Sequence, residues 1–205
     1  MTSEIHRKEC HRYDIPGDAH FLTFSCFQRK PFLNRDRSRI WMLESLQVAQ
    51  ERDLFDLWAY VIMPEHVHLV LCPRRDIVIS KILKTIKQSV SRKAIIWTQS
   101  HAPEFLRKME DRQPDGKISH RFWQRGGGYD RNLRSVRDIH EKIHYVHNNP
   151  VRRNLCSRPE DWDWSSFNIW RNETRQPTII HKQSLPKLTM QDEGINSGLI
   201  NPFSL

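Results

Sequence analysis

Leu54-Phe55-Asp56-Leu57-Trp58-Ala59-Tyr60-Val61-Ile62-Met63 is rich in aromatic and β-branched residues, Pro64-Glu65 interrupts it, and His66-Val67-His68-Leu69-Val70-Leu71 resumes the run. That pattern reads as two adjacent strands joined by a tight turn. Side chains along a strand alternate between faces, so His66 and His68 point one way while Val67 and Leu69 point the other. Same-face neighbours stand roughly 6.5 Å apart along a strand, close enough for two imidazoles to lean onto one cation, and neutral imidazole is the commonest metal ligand near pH 7. The spacing alone fits equally well two histidines at a sheet surface making ordinary hydrogen bonds.

Working outward, the run from His20 to Phe27 follows the turn-like Pro16-Gly17-Asp18 and reads as a strand closed by Arg29-Lys30-Pro31. Ile40, Leu43, Leu46 and Ala49 fall at helical spacing within Arg35 to Arg52, and Ile79, Ile82, Leu83, Ile86, Val90 and Ala94 within Ile77 to Trp97. Ser100 to Ser119 mixes proline, glycine and charge and reads as a loop. A short strand or hairpin is expected around Phe122-Trp123-Gln124 and Gly126-Gly127-Gly128. Ser135 is placed to cap a third helix with its stripe at Val136, Ile139, Ile143 and Val146, ending near Asn148 because Pro150 disfavours continuation. The order strand, helix, strand, strand, helix, strand, helix predicts an α+β domain: an antiparallel sheet with helices packed on it, as in ferredoxin-like folds, with the third helix toward the C-terminal side. Residues 1–171 are expected to form one domain, and 172–205 a polar tail that is either docked or disordered.

At 205 residues and 38% hydrophobic, the chain is long and apolar enough to bury a core. No run approaches the ~18 apolar residues of a membrane helix, and Met1 to Asp14 carries charges instead of the apolar core of a secretory signal. A cytoplasmic protein is expected. Cys10, Cys26, Cys72 and Cys156 are scattered with no CxxC pair, as reduced structural cysteines would be. Net charge is +9, and between Arg74 and Arg153 there are 19 Lys and Arg against 8 Asp and Glu. So concentrated a basic segment points to nucleic acid, although a solvated basic surface gives the same count.

The third helix carries a second constellation, Ile143-His144-Tyr145-Val146-His147-Asn148-Asn149-Pro150. Tyr145 and Asn149 are four apart and share a face if the last turn persists. The amide oxygen of Asn149 suits a hard cation such as Mg2+ or Mn2+. A phenol, with a free pKa of about 10, becomes a useful nucleophile only when a metal polarises its target or a base takes its proton. Tyr145 is otherwise a half-buried aromatic beside the apolar stripe. His140, His144 and His147 recur at helical spacing and form a competing metal site on paper, or a polar face toward phosphate.

Tyr60 through Leu71, Phe122-Trp123-Gln124, Tyr145 through Val151, Pro159-Glu160-Asp161-Trp162 and Trp164-Ser165-Ser166 together resemble the REP-associated tyrosine transposases, relatives of the single-tyrosine HUH transposases. The likeness runs over residues 12 to 170. It implies a ferredoxin-like enzyme that cleaves and rejoins single-stranded DNA beside hairpins of repetitive extragenic palindromes, as a monomer or a homodimer. His66, His68 and Asn149 would then hold a divalent metal, Mg2+ or Mn2+, and Tyr145 would attack the scissile phosphate to give a 5′-phosphotyrosyl intermediate. Glu65 before the histidine pair departs from the commonest family form. DNA contacts are expected from Arg29, Lys30, Lys84, Lys87, Arg121, Arg125, Gly127, Arg131, Arg152 and Arg153, with Arg134 beside them and Phe122-Trp123 offering stacking surfaces. Two rival readings remain: a non-catalytic nucleic-acid-binding module, and a metal nuclease that uses water.

Overall fold

The computed structural model describes residues 15–171, 180–189 and 192. Met1 to Asp14, with Cys10, and most of the 172–205 tail lie outside the described residues. The elements run β1 (Ala19–Ser25), α1 (Asp36–Glu51), β2 (Phe55–Ile62), β3 (His66–Pro73), α2 (Ile79–His101), β4 (Glu110–Arg112), β5 (Ile118–His120), β6 (Tyr129–Leu133), α3 (Val136–Arg152) and α4 (Phe167–Trp170). Four strands form one antiparallel sheet in the order β2-β3-β1-β6, and β4 pairs only with β5. With that hairpin set aside, β1-α1-β2-β3-α2-β6 is the ferredoxin-like order expected from the sequence.

Alternation along the strands builds two separate cores. Leu22, Phe24, Val67, Leu69 and Leu71 meet α1 and α2 through Met42, Leu43, Leu46, Ile82, Ile86 and Val90. Phe21, Ala59, Val61 and Val70 on the other face meet Ile139, Ile143 and Val146 of α3. The alternation slips once: Leu57 pairs with Leu71 but Ala59 with Val70, a β-bulge that leaves Trp58 and Ala59 both on the α3 side. The outer edge of β2 is closed by later chain. Ile62 N–H donates to Trp164 O (2.8 Å), Ser166 N–H to Tyr60 O (3.0 Å) and His181 N–H to Leu57 O (2.9 Å), which satisfies an edge strand that would otherwise face solvent. No helix among the described residues is long and apolar enough to cross a membrane.

Several expectations from sequence need correction. Helix α3 does not stop at Asn148 but runs through Pro150 to Arg152. The proline removes one backbone donor, yet Arg153 N–H donates to Asn149 O (3.1 Å) and Leu155 N–H to Pro150 O (2.9 Å), and Pro150 is buried, so the last turn is held from beyond it. Ser135 caps the start, its Oγ accepting from Asp138 N–H at 3.1 Å. The expected loop at Ser100 to Ser119 contains the end of α2, a 3-10 turn at Pro103–Met109 and most of the β4–β5 hairpin, whose three-residue strands are too short to show an alternation in the sequence. Ile40 leaves the α1 stripe and is 46% exposed, while Met42 takes its place in the core.

Candidate active site

The β1–β3 register sets Ser25 opposite His66 and Thr23 opposite His68, all on the face covered by α3. His66 and His68 turn their Nε2 atoms toward each other at 3.0 Å. Each Nδ1 has an outer partner, Glu65 Oε1 for His66 (3.0 Å) and Thr23 Oγ1 for His68 (2.7 Å). Burial lowers the pKa of His66 against the upward pull of Glu65. His68 is pushed down to about 3 by burial first, then by His66 and Arg153. Both rings are therefore neutral at pH 7, and with Nδ1–H of His66 directed at Glu65 its Nε2 keeps the lone pair that faces His68.

Helix α3 brings two more groups to the same place. A cavity of about 330 Å³ is lined by Thr23, His66 and His68 from the sheet and by Tyr145 and Asn149 from the helix, with Glu65, Arg29, Arg152 and Arg153 around it. Tyr145 packs edge-on against His68 (centroids 5.6 Å) and Phe21 (5.7 Å), and Arg152 and Lys142 lie over its ring at 5.3 and 5.7 Å. Asn149 is 5% exposed and its Oδ1 is buried with no hydrogen-bond partner, a state that costs about 1–3 kcal/mol unless a donor or a cation meets the oxygen. Two ligands at adjacent corners of an octahedron with bonds of about 2.1 Å are about 3.0 Å apart, which is the observed Nε2 spacing. A divalent cation therefore fits the Nε2 spacing and would meet the need of the one ligand atom left unsatisfied, Asn149 Oδ1.

The competing set on the helix dissolves. His140 Nε2–H donates to Pro186 O (2.9 Å), His144 Nε2 accepts from Asn148 Nδ2 (3.1 Å), and His147 Nε2 meets Ser166 Oγ (2.9 Å) in the core beneath, with three different surroundings for three histidines. Among the described residues no group of three His, Cys, Asp or Glu side chains converges; the candidate third donor in the cavity with the histidine pair, Asn149, is an amide. Cys26 is fully buried, and burial pushes its thiol pKa up, so it is no nucleophile.

The remaining basic residues divide. A second cleft of about 420 Å³ is lined by Lys87, Arg92, Arg121 and Arg125 beside Gly126. There Arg121 and Arg125 both bind Asp111, and Lys87 Nζ donates to Gly126 O at 2.7 Å. Lys30 Nζ donates to Lys108 O (2.8 Å), Arg131 pairs with Asp138 (2.9 Å), Lys84 is exposed on α2, and Gly127 is half-exposed. Phe122 and Trp123 do not offer faces for stacking. They are 3% and 5% exposed, drawn into the core by contacts with Phe32 and Phe24. The close approach in the glycine turn belongs to Gly128, with φ +80°, where a Cβ would meet Thr23 O at 2.1 Å.

Thr23 and Ser25 are not legible in the sequence, because their place depends on a strand register that no local pattern announces. Glu65 carries a signal of its own there, since an acid adjacent to a candidate ligand points to an outer hydrogen bond.

The profile of the IS200-like transposases matches residues 18–129. The chain belongs to that family. The matched span holds His66 and His68 and ends before α3, which carries Tyr145 and Asn149. Among solved structures, this transposase is similar to a REP-associated tyrosine transposase bound to a REP hairpin, at 19% identity and TM-score 0.60, covering 89% of this chain and 99% of that one. A candidate transposase from Deinococcus radiodurans is also 19% identical, covering 71% and 97%, with TM-score 0.41. No curated protein matches in sequence.

Proposed function

We propose that this IS200-like transposase cuts and rejoins single-stranded DNA beside a hairpin of the repetitive extragenic palindrome type, with Tyr145 as the nucleophile. The observation that carries this reading is the convergence of Tyr145 and Asn149 from α3 with His66 and His68 from β3 on one arginine-rimmed cavity. The hairpin is supported by the DNA held by the structural neighbour. The catalytic unit is residues 1–171.

His66 and His68, neutral and aimed at each other, would hold Mg2+ or Mn2+ together with Asn149 Oδ1. Such an ion withdraws charge from the scissile phosphate. Arg29, Arg152 and Arg153 bind the flanking phosphates and keep the strand over Tyr145. The Tyr145 oxygen forms a bond to phosphorus as the bond to the 3′ oxygen breaks, and the phenol proton passes to water or to the leaving oxygen. The products are a 5′-phosphotyrosyl link and a free 3′-hydroxyl. Attack by a 3′-hydroxyl reverses the step, so rejoining requires no external energy source.

A labelled hairpin with a single-stranded 5′ extension, incubated with Mn2+, should yield a denaturation-resistant protein–DNA adduct. Tyr145→Phe should abolish the adduct by at least about a thousandfold, in the range of a lost covalent nucleophile, while the hairpin still binds. Cleavage that survives in Tyr145→Phe would favour water as nucleophile. Binding with no cleavage under any divalent metal would leave a non-catalytic binding module.

A further inference from the structure

The two histidines differ in what stands behind them. Behind His68 is the neutral hydroxyl of Thr23, whereas behind His66 is the carboxylate of Glu65, and the same Oε1 lies 3.0 Å from His66 Nδ1 and 3.0 Å from the Arg153 guanidinium. Glu65 is held firmly enough for one oxygen to serve both. Its carbonyl accepts from Cys26 N–H (2.8 Å), the preceding Pro64 carbonyl accepts from Leu33 N–H (2.9 Å), and Met63 N–H donates to His66 O (2.9 Å) across the turn. The carboxylate is 18% exposed while Arg153 is 53% exposed. Arg153 also caps α3, its N–H donating to the carbonyl of Asn149. One side chain thus touches the β3 ligand, the cavity rim and the end of the helix that bears the amide.

Resting on the reading above, we propose that Glu65 is a positioning residue with two opposed effects: it strengthens metal binding through His66 and weakens metal-free DNA binding by occupying Arg153. The first effect follows from tautomer control. A carboxylate at Nδ1 demands Nδ1–H, which leaves the Nε2 lone pair facing His68 and makes it a better donor. The second follows from exchange. A salt bridge whose arginine is half in water is weak, so a DNA phosphate displaces the carboxylate, but only by competing with it. Metal and DNA therefore read the same carboxylate with opposite sign. A residue that merely supports the fold would move both affinities in the same direction.

The test measures two affinities on the intact protein, Mn2+ by calorimetry without DNA, and a fluorescent hairpin with a single-stranded extension by anisotropy in EDTA. Glu65→Ala should weaken Mn2+ about 10- to 100-fold, the usual effect of losing an outer-shell partner, and tighten the hairpin severalfold with a steeper salt dependence. Glu65→Asp retains the charge but cannot reach both partners, and should lose most of the Mn2+ affinity. Restoration of wild-type Mn2+ affinity by Asp would overturn positioning in favour of plain charge. Loss of both affinities in a folded Glu65→Ala protein would overturn the competition. If wild type binds Mn2+ and Glu65→Ala binds it equally well, the Glu65 inference falls alone; if wild type binds none, the metal assignment falls with it.

Discussion

The two faces of the sheet are built from the same strands and do different work. On the α1/α2 side, Val67, Leu69 and Leu71 are buried among aliphatic side chains; one residue away along β3, His66 and His68 open onto the cavity beneath α3. A period of two lets a single strand present aliphatic side chains to one face and the histidine pair to the other, and a slip of one residue would exchange them. Substitutions on the two faces should therefore separate stability from metal binding. Leu69→Ala should cost about 2–5 kcal/mol of stability, as large-to-small core changes do, and leave Mn2+ affinity intact in the folded fraction. His68→Ala should remove measurable Mn2+ binding and cleavage while changing the melting temperature little. A large loss of stability in His68→Ala would mean that His68 itself is part of the core that packs against α3.

Acid sharpens the same contrast. His147, wholly buried beneath α3, has its pKa pushed down to about 3, by burial and then by His144. A histidine with a folded pKa below its unfolded value of about 6.5 binds its proton more readily in the unfolded chain. Its contribution is thus intact above about pH 6.5 and is lost as pH falls toward 3, at about 1.4 kcal/mol per pH unit. His68 shares the direction and the value of about 3. Urea unfolding at pH 7, 6 and 5 should show the fall, and His147→Gln should remove one proton from its slope. Saturating Mn2+ should protect the protein through His68 but leave the part due to His147. An equal slope in wild type and His147→Gln would contradict this assignment.

Much of this was legible in the sequence. The alternation of β3, the helical stripe of α2 and the Ser135 cap are local patterns, and they yield the element order; the shared face of Tyr145 and Asn149 follows from their spacing of four only because α3 runs on through Pro150. The side of the sheet on which α3 lies is not local, because element order carries no face. The bulge at Trp58, the short β4–β5 hairpin and the partners Thr23 and Glu65 depend on register and turn geometry. In sequence Phe122 and Trp123 look like stacking surfaces because an aromatic pair among arginines reads alike whether it faces solvent or the core.

Gly128 lies where the two faces meet. A Cβ there would strike Thr23 O at 2.1 Å and Phe24 Cα at 3.0 Å; Thr23 holds His68, and Phe24 belongs to the opposite core. Gly128→Ala adds the positive-φ penalty to that clash, about 1–3 kcal/mol. Stability and Mn2+ affinity should fall together in this variant, unlike either single-face change. A fall in stability alone, seen by melting and calorimetry on one sample, would show that Thr23 can shift without disturbing His68.

The smallest expected effect separates the two basic clefts. Arg125 and Arg121 already share Asp111, whose carboxyl they hold below the usual range, with Arg125 the larger influence. A phosphate arriving there meets a partly neutralised pair, whereas Arg152 lies over Tyr145 beside the histidines. Equal formal charges should therefore contribute unequally. Arg125→Ala should weaken hairpin binding only a few-fold and lower the salt slope by less than about one, the full value for a lost phosphate contact, while Arg152→Ala should lower it by about one and reduce cleavage further. Anisotropy titrations over a salt series read both. A slope as large for Arg125 as for Arg152 would make the cleft beside Gly126 a primary DNA surface, and the division of work between the faces would then hold for the metal and not for the strand it acts on.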